Sequence, residues 1–330
     1  MLNPSRRQAT DRHQVHEQQE LLRWVAELYY IQEQGQADIA SLIGVSVSKV
    51  SRLLAEARRQ GIVTIHVTAS RAGESELECA LARQLELEAV YVAPARVRDA
   101  SVASRVAALA AARVLPKWLP SSGLVGLSGG YTVAQLALAL EPLPDADLTV
   151  VPLQGNWMDG GLHLHNDQVC RDAANSLGAR WLSLPAPMVV ERADTRKALM
   201  SDRGIRMVTE RWQELQVAVV GIGPSPGGVQ RDYPSVMGQL APAVLDELQR
   251  EAVVGDLCAH MFDPNGRFVE HELSQRTLSI SIDELRKVPT VIAVAGGANK
   301  ADSVLGAVRT RVPRVLVTDQ LTAERLLQLL

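Results

Sequence analysis

The stretch PTVIAVAGGANK, residues 289–300, sets the architecture of the larger part of this chain. A near-continuous apolar run ends in two glycines, and a lysine stands three residues later where a helix opens. An alternating strand would show water one face. A run without alternation predicts a strand covered on both faces, which is the situation of a parallel sheet with helices above and below it. Glycines at its end free the backbone to approach a ligand, and the next helix turns its positive end toward the same place.

The same grammar recurs on either side of that stretch. LVGLSGG (124–130) runs into a glycine turn before the helical TVAQLALAL (132–140), and VAVVGIG (217–223) into another glycine turn. AVYVA (89–93), LTVVPL (148–153), RWLSLPAP (180–187) and RVLVTD (314–319) also read as strands. Helices are expected near 77–85, 100–115 (alanine-rich), 166–178 and at the closing TAERLLQLL. The expected fold class is α/β, a Rossmann-like, largely parallel sheet, and such sheets bind ligands at the carboxyl ends of their strands.

That places a candidate anion site on three turns. The first offers Ser128, Gly129, Gly130, Tyr131 and Thr132, the second Gly221 and Gly223, the third Gly296, Gly297 and Lys300. Each turn alone is common βα chemistry. Three on one sheet edge, with a lysine in one of them, point to a negatively charged ligand. Gln154, after the strand at 148–153, is expected to line the same place, and Asp256 in GDLCAHMFDPNGRFV (255–269) to accept from ligand hydroxyls. Asp263 reads as turn chemistry. His163 and His165 flank Leu164 near Asp159 and Asp167 without an evident third ligand, so no metal site is assigned, and Asn166 is expected to cap the helix that follows.

The first 68 residues follow another pattern. Leu21, Leu22, Val25, Leu28 and Tyr29 repeat at helical spacing, and QADIASLI presents Ile39, Ala40 and Ile43. Gly44 suits a left-handed turn and Ser46 an N-cap. The next helix turns Val47, Val50, Leu54 and Ala57 inward and leaves Ser48, Lys49, Ser51 and Arg52 outside, with Arg58 and Arg59 farther along; Gly61 ends it. IVTIHV (62–67) reads as the strand of a wing. This is a helix-turn-helix, whose second helix enters the DNA major groove. Lys49 and Arg52, one turn apart, can reach base edges; Ser46, Ser48, Ser51, Arg58 and Arg59 suit phosphates. The expected organisation is a helix-turn-helix domain over 1–68, a linker over 69–76 and a ligand-binding and oligomerisation domain over 77–330.

The chain's bulk properties agree. A net charge of −3 over 330 residues gives no global pull toward nucleic acid, so affinity must be local, and Lys49, Arg52, Arg58 and Arg59 face only Glu56 on their helix. Hydrophobic content of 47% with 4% aromatic predicts an Ala, Val and Leu core. Cys79, Cys170 and Cys258 make no disulfide framework. With no apolar span or signal segment, a cytoplasmic location is expected.

The segment ELYYIQEQGQADIASLIGVSVSKVSRLLAEARRQGIVTIHV resembles the N-terminal domain of the SorC family of sugar-responsive transcriptional regulators. LSGG, GDLCAHMFDPNG, VIAVAGGANKADSVLGAVRTRVPRVLVTD and the final TAERLL resemble that family's effector domain, so the likeness runs from about residue 20 to the end. It implies a fold akin to sugar-phosphate isomerases and deaminases that binds a phosphorylated sugar without converting it. The implied phosphate cradle is Ser128, Gly129, Gly130, Thr132 and Lys300, with Asp256 on hydroxyls. Tyr131 stands where many relatives carry a small residue, and Ala37-Asp38 is a departure on the first crossing helix. The resemblance also implies operator DNA as partner, a homotetramer, a repressor released by effector, and no cofactor. The alternative is an enzyme of the sugar-phosphate isomerase type with an accessory DNA-binding domain, Asp256 and Lys300 serving as acid/base groups.

Overall fold

The structure is a computed structural model and describes residues 18–63, 75–157, 164–228 and 240–330. The chain divides into two compact units, Met1–Ala72 and Gly73–Leu330.

The first unit holds helix α1 over 18–30, α2 (Gln36–Ile43) and α3 (Val47–Arg59). Its core is Leu22, Val25, Ala26, Leu28, Ile39, Ala40, Val50, Leu53, Leu54 and Ala57. Two expected core residues lie outside it: Leu21 is 37% and Val47 48% exposed. Leu53 replaces Val47, because α3 buries a wide stripe among its neighbours and its first turn contributes little to that stripe. Gly44 takes φ +67° and turns the chain between α2 and α3. Gly61 follows α3 at φ +72°, as expected for a left-handed helix stop. Ile62 and Val63 are not the start of a strand: their N–H groups fold back onto Ala57 O at 2.9 and 3.2 Å. The rest of the expected wing, 64–67, and residues 69–74 of the expected linker lie outside the described residues.

In the second unit the order is α4 (Glu76–Gln84), β1 (Ala89–Ala93), α5 (Ala100–Val114), β2 (Ser122–Leu127), α6 (Tyr131–Ala139), β3 (Asp147–Pro152), α7 (Asn166–Leu177), β4 (Arg180–Trp181), α8 (Ala193–Ser201), α9 (Arg203–Thr209) and β5 (Leu215–Gly221). It continues through α10 (Pro242–Arg250), β6 (Gly255–Leu257), β7 (His260–Phe262), α11 (Glu272–Arg276), α12 (Ile282–Lys287), β8 (Thr290–Val294), α13 (Ala301–Arg309), β9 (Val315–Asp319) and α14 (Gln320–Leu329). Seven strands form one sheet in the order β1-β9-β8-β5-β2-β3-β4. Every pair in it is parallel, as the apolar runs predict.

The runs lack alternation because both faces are cores. Along β5, Val217 and Val219 join a cluster with α5, α6 and α7, while Ala218 and Val220 join one with α4, α12, α13 and α14. The alanine stripe of α5, from Ala103 to Ala112, lets that helix lie close to the sheet. A Cβ on Gly296 would fall 2.3 Å from Ala103 O, so glycine is required where α5 passes the end of β8.

The expected strand over 180–187 is only two residues long. Pro185 and Pro187 have no N–H to give a ladder, and the segment instead makes a bridge between Pro187 and Asn156. The antiparallel pair β6–β7 was not foreseen.

Candidate functional site

Strand order decides the geometry. β2 has β3 on one side and β5 on the other, so connections run outward in opposite directions from the β2–β5 junction, the place at the carboxyl ends where sheets of this kind form their ligand crevice. β8 is the next strand beyond β5. The three glycine turns therefore follow three adjacent parallel strands and stand side by side on one edge.

Side chains and backbone stitch them together. Ser128, buried at the end of β2, has its N–H on Val219 O at 3.0 Å and accepts Gly221 N–H on its Oγ at 3.1 Å. That use of Ser128 is architectural, joining the first two turns. Gly130 adopts φ +101°, and a Cβ there would meet nothing within 4 Å. It precedes α6, whose N-terminus has no side-chain cap. Tyr131 turns its ring toward the α5–α7 side of the core. Thr132 is buried in the first turn of α6. Gln154 is buried, and its Nε2 lies 3.0 Å from where a Cβ on Gly129 would stand.

On the opposite side of the crevice, Lys300 is only 4% exposed and its Nζ donates to Ile222 O, in the second turn, at 3.4 Å. Gly297 (φ +108°) donates its N–H to Asp319 Oδ2 at 2.7 Å. Asp319 is fully buried and also accepts from Leu321 N, Thr322 N and Thr322 Oγ1, so one carboxylate caps α14 and clamps the third turn. Its signal was legible, an Asp at a strand end before a helix with Thr three residues on, but the residue was read only as the end of a strand.

Asp256 enters from the β6–β7 hairpin. Cys258 and Ala259 at its tip carry φ +48° and +64° without being glycine. Asp256 Oδ2 accepts Ala259 N–H at 3.0 Å and steadies that turn. Oδ1 is buried without a hydrogen-bond partner. A Cβ on Gly223 would fall 1.7 Å from Oδ1, and Gly223 N–H donates to Asp256 O at 3.0 Å, so the hairpin rests on the second glycine turn. Burial pushes the Asp256 carboxyl up to about 6, against the pull of Lys300, and burial draws Lys300 down to about 8, against the pull of Asp256. Burial thus works against the charged form of both groups.

Trp157 escaped the sequence reading. It packs with Met188 and Ala259, and its Cδ1 and Nε1 stand 3.6 Å from the Cβ position of Gly129. Asn166 is not the helix cap that was expected: its Nδ2 donates to Gln154 O at 2.9 Å, and Asn156 Oδ1 accepts Asp167 N–H at 3.0 Å in the capping role. Asp263 is an Asx turn, its Oδ1 accepting from Asn265 N and Arg267 N. His163 and Asp159 lie outside the described residues.

On α3, Ser46 is the N-cap, its Oγ accepting Lys49 N–H at 3.2 Å. Ser48, Lys49, Ser51, Arg52 and Arg58 are exposed along one side of the helix. Arg52 Nε rests 3.4 Å from Ser48 O. Arg59 is paired with Glu56, an exposed contact of the kind that contributes little to stability.

Comparison with known proteins accounts for both halves. A family model described as "Putative sugar-binding domain" matches residues 70–328. The sorbitol operon regulator of Klebsiella pneumoniae is 31% identical over 314 residues, covering 92% of this chain and 96% of that protein. The chain belongs to the SorC family of sugar-binding transcriptional regulators. The deoxyribonucleoside regulator of Bacillus subtilis is 27% identical, covering 94% of this chain and 98% of the relative. The crystal structure of the full-length sorbitol operon regulator SorC superposes with a TM-score of 0.74 at 28% identity, over 93% of this chain and 98% of that one. The fold class and family expected from sequence are thereby borne out, and this SorC-family chain is a DNA-binding transcriptional regulator.

Proposed function

We propose that the chain represses genes of carbohydrate metabolism and that a phosphorylated sugar, bound at the β8-β5-β2 edge, releases it. The observation that carries this reading is the crevice itself: three adjacent glycine turns, the uncapped α6 N-terminus over Gly130, buried Lys300, and Asp256 Oδ1 with no donor of its own. A phosphate suits the backbone N–H groups and the lysine, and a hydroxyl suits the orphan oxygen. Residues 1–68 would hold operator DNA through α3, and 77–330 would bind effector and assemble a homotetramer in the cytoplasm. Among the described residues no helix is long and apolar enough to cross a membrane. The effector shifts DNA affinity only to the extent that it binds two arrangements of the protein unequally.

The site is read as a sensor, not a catalyst. Asp256 and Lys300 are the acid/base pair available in the crevice, and the relatives named above are regulators. The test is a thermal-shift screen of the full chain against pentose and hexose phosphates and their unphosphorylated parents. At ~100-fold over Kd a true ligand stabilises by about 2.7 kcal/mol. The same ligand should weaken operator binding in a mobility-shift assay, and Lys300→Ala should abolish that response while DNA binding persists. Steady turnover of the ligand would reject the sensor reading. No stabilisation by any phosphate ester would reject the effector class.

A further inference from the structure

Trp157 carries a polar group that no acceptor among the described residues meets. Trp212 also sits in the core of this unit, but its indole N–H donates to Pro152 O at 2.9 Å. That of Trp118 is buried without a partner, but it precedes β2, at the opposite end of the strands from the glycine turns. Trp157 is only 8% exposed, yet its Nε1 meets no acceptor among the described residues. It stands beside the Cα of Gly129, next to Gln154 Nε2. The next residue of that turn, Gly130, has open space where a side chain would stand and precedes the uncapped start of α6.

Packing fixes the ring in that pose. Met188 and Ala259 hold it, and Ala259 is tied in turn to Asp256 Oδ2. An indole edge so held is a preorganised neutral donor, and neutral donors around an oxyanion add directional hydrogen bonds to the charge supplied by Lys300 and the helix end. We infer that Trp157 is a ligand-contacting residue whose indole N–H donates to the phosphate oxygens seated over Gly129 and Gly130. This rests on the phosphate reading of the crevice. It adds a contact that joins the phosphate end of the site to the Asp256 hairpin through one rigid ring.

The test uses the full chain and inorganic phosphate as probe. Trp157→Phe keeps an aromatic ring against Met188 and Ala259 and removes the donor. A charge-assisted hydrogen bond is worth about 1.5–3 kcal/mol, so the Kd for phosphate by calorimetry should rise at least tenfold. In the unmodified protein, the indole 1H–15N resonance assigned to Trp157 should move downfield as phosphate is added. This second measurement needs the variant only for assignment, and selective labelling can supply that if the variant folds poorly. Equal phosphate affinity in the variant, or an unmoved indole resonance in a protein that binds phosphate, overturns the role of Trp157 and leaves the phosphate site standing. Absence of phosphate binding to the unmodified chain overturns both.

Discussion

Gly223→Ala is the substitution whose consequence the geometry fixes most tightly. The added methyl would sit 1.7 Å from Asp256 Oδ1, far inside contact distance, while the backbone at Gly223 is itself held by Asp256 O at 3.0 Å. The methyl cannot be accommodated by a small shift, so the carboxylate must swing away. Its Oδ2 then abandons Ala259 N–H. Overpacking costs about 1–3 kcal/mol, and a buried donor left unsatisfied costs about 1–3 kcal/mol more. A loss of about 4 kcal/mol is expected, read as a lower urea midpoint with an unchanged m-value. The attribution is tested by a double-mutant cycle: in an Asp256→Ala background the methyl meets empty space, and the cost of Gly223→Ala should shrink by about 2–3 kcal/mol. If Gly223→Ala costs under about 0.5 kcal/mol, or costs the same in both backgrounds, then the hairpin does not rest on the second turn and the assembly of the crevice described above is wrong.

Further tests address the other parts. Ser46→Ala removes the cap of α3, and should cost about 1 kcal/mol in the stability of the helical unit; an unchanged melt would deny the cap its role. Arg52→Ala should weaken binding to the cognate operator by about 1–3 kcal/mol while sparing random DNA, whereas Arg58→Ala should weaken both alike and lower the salt slope by about 1; mobility shifts at several salt concentrations separate the two. Asp319→Ala strands the buried N–H of Gly297 and the first turn of α14, so a loss of about 3–5 kcal/mol is expected, and a loss under about 1 kcal/mol would contradict the clamp. Between pH 3.8 and about 6 the folded chain keeps a proton on Asp256 that the unfolded chain has released, so its contribution to stability falls as pH rises through that window. Between about 8 and 10.5 the folded chain has released the Lys300 proton that the unfolded chain retains, so stability rises with pH there. Urea melts of the unmodified protein minus those of Asp256→Asn isolate the first limb, and a difference that is flat or of opposite sign from pH 4 to 6 refutes it.

What could be read from the sequence follows from what each signal depends on. The glycine turns were visible because a buried parallel strand and its βα turn are local patterns, and Ser46, Gly44 and Gly61 were visible for the same reason. Adjacency of β8, β5 and β2 was not, because nothing in the runs says toward which side each crossover turns. The β6–β7 hairpin was hidden because its tip, Cys258-Ala259, lacks the Asn or Gly that announces such a turn; a carboxylate bond from Asp256 holds it instead. Trp157 was hidden because a lone tryptophan after a strand usually means core, and only its place against the Gly129 turn says otherwise. Val47 shows the complementary error: helical spacing places it inward, but periodicity does not say how far the neighbouring helices extend.

The unmatched groups of the crevice bear on how the molecule can act as a switch. Asp256 Oδ1 is buried with no donor, and Trp157 Nε1–H has no acceptor among the described residues. Each costs the ligand-free fold, since burial removes water without replacing all of its hydrogen bonds. On the proposed reading, a phosphorylated, hydroxyl-bearing ligand would supply those partners, so part of its binding energy would come from relieving costs already present. Those costs fall on the β6–β7 hairpin, the Gly223 turn and the β3 turn, which meet through Asp256, Ala259 and Trp157 among the described residues. A ligand that satisfies them tightens the contact between three segments of the sheet edge, and any second arrangement of the protein that separates those segments is disfavoured by the same free energy. The differential affinity a regulator requires is therefore expected in the hairpin's position, and Gly223→Ala, which displaces Asp256 without removing it, should uncouple effector from operator even at concentrations that still fill the phosphate end of the site.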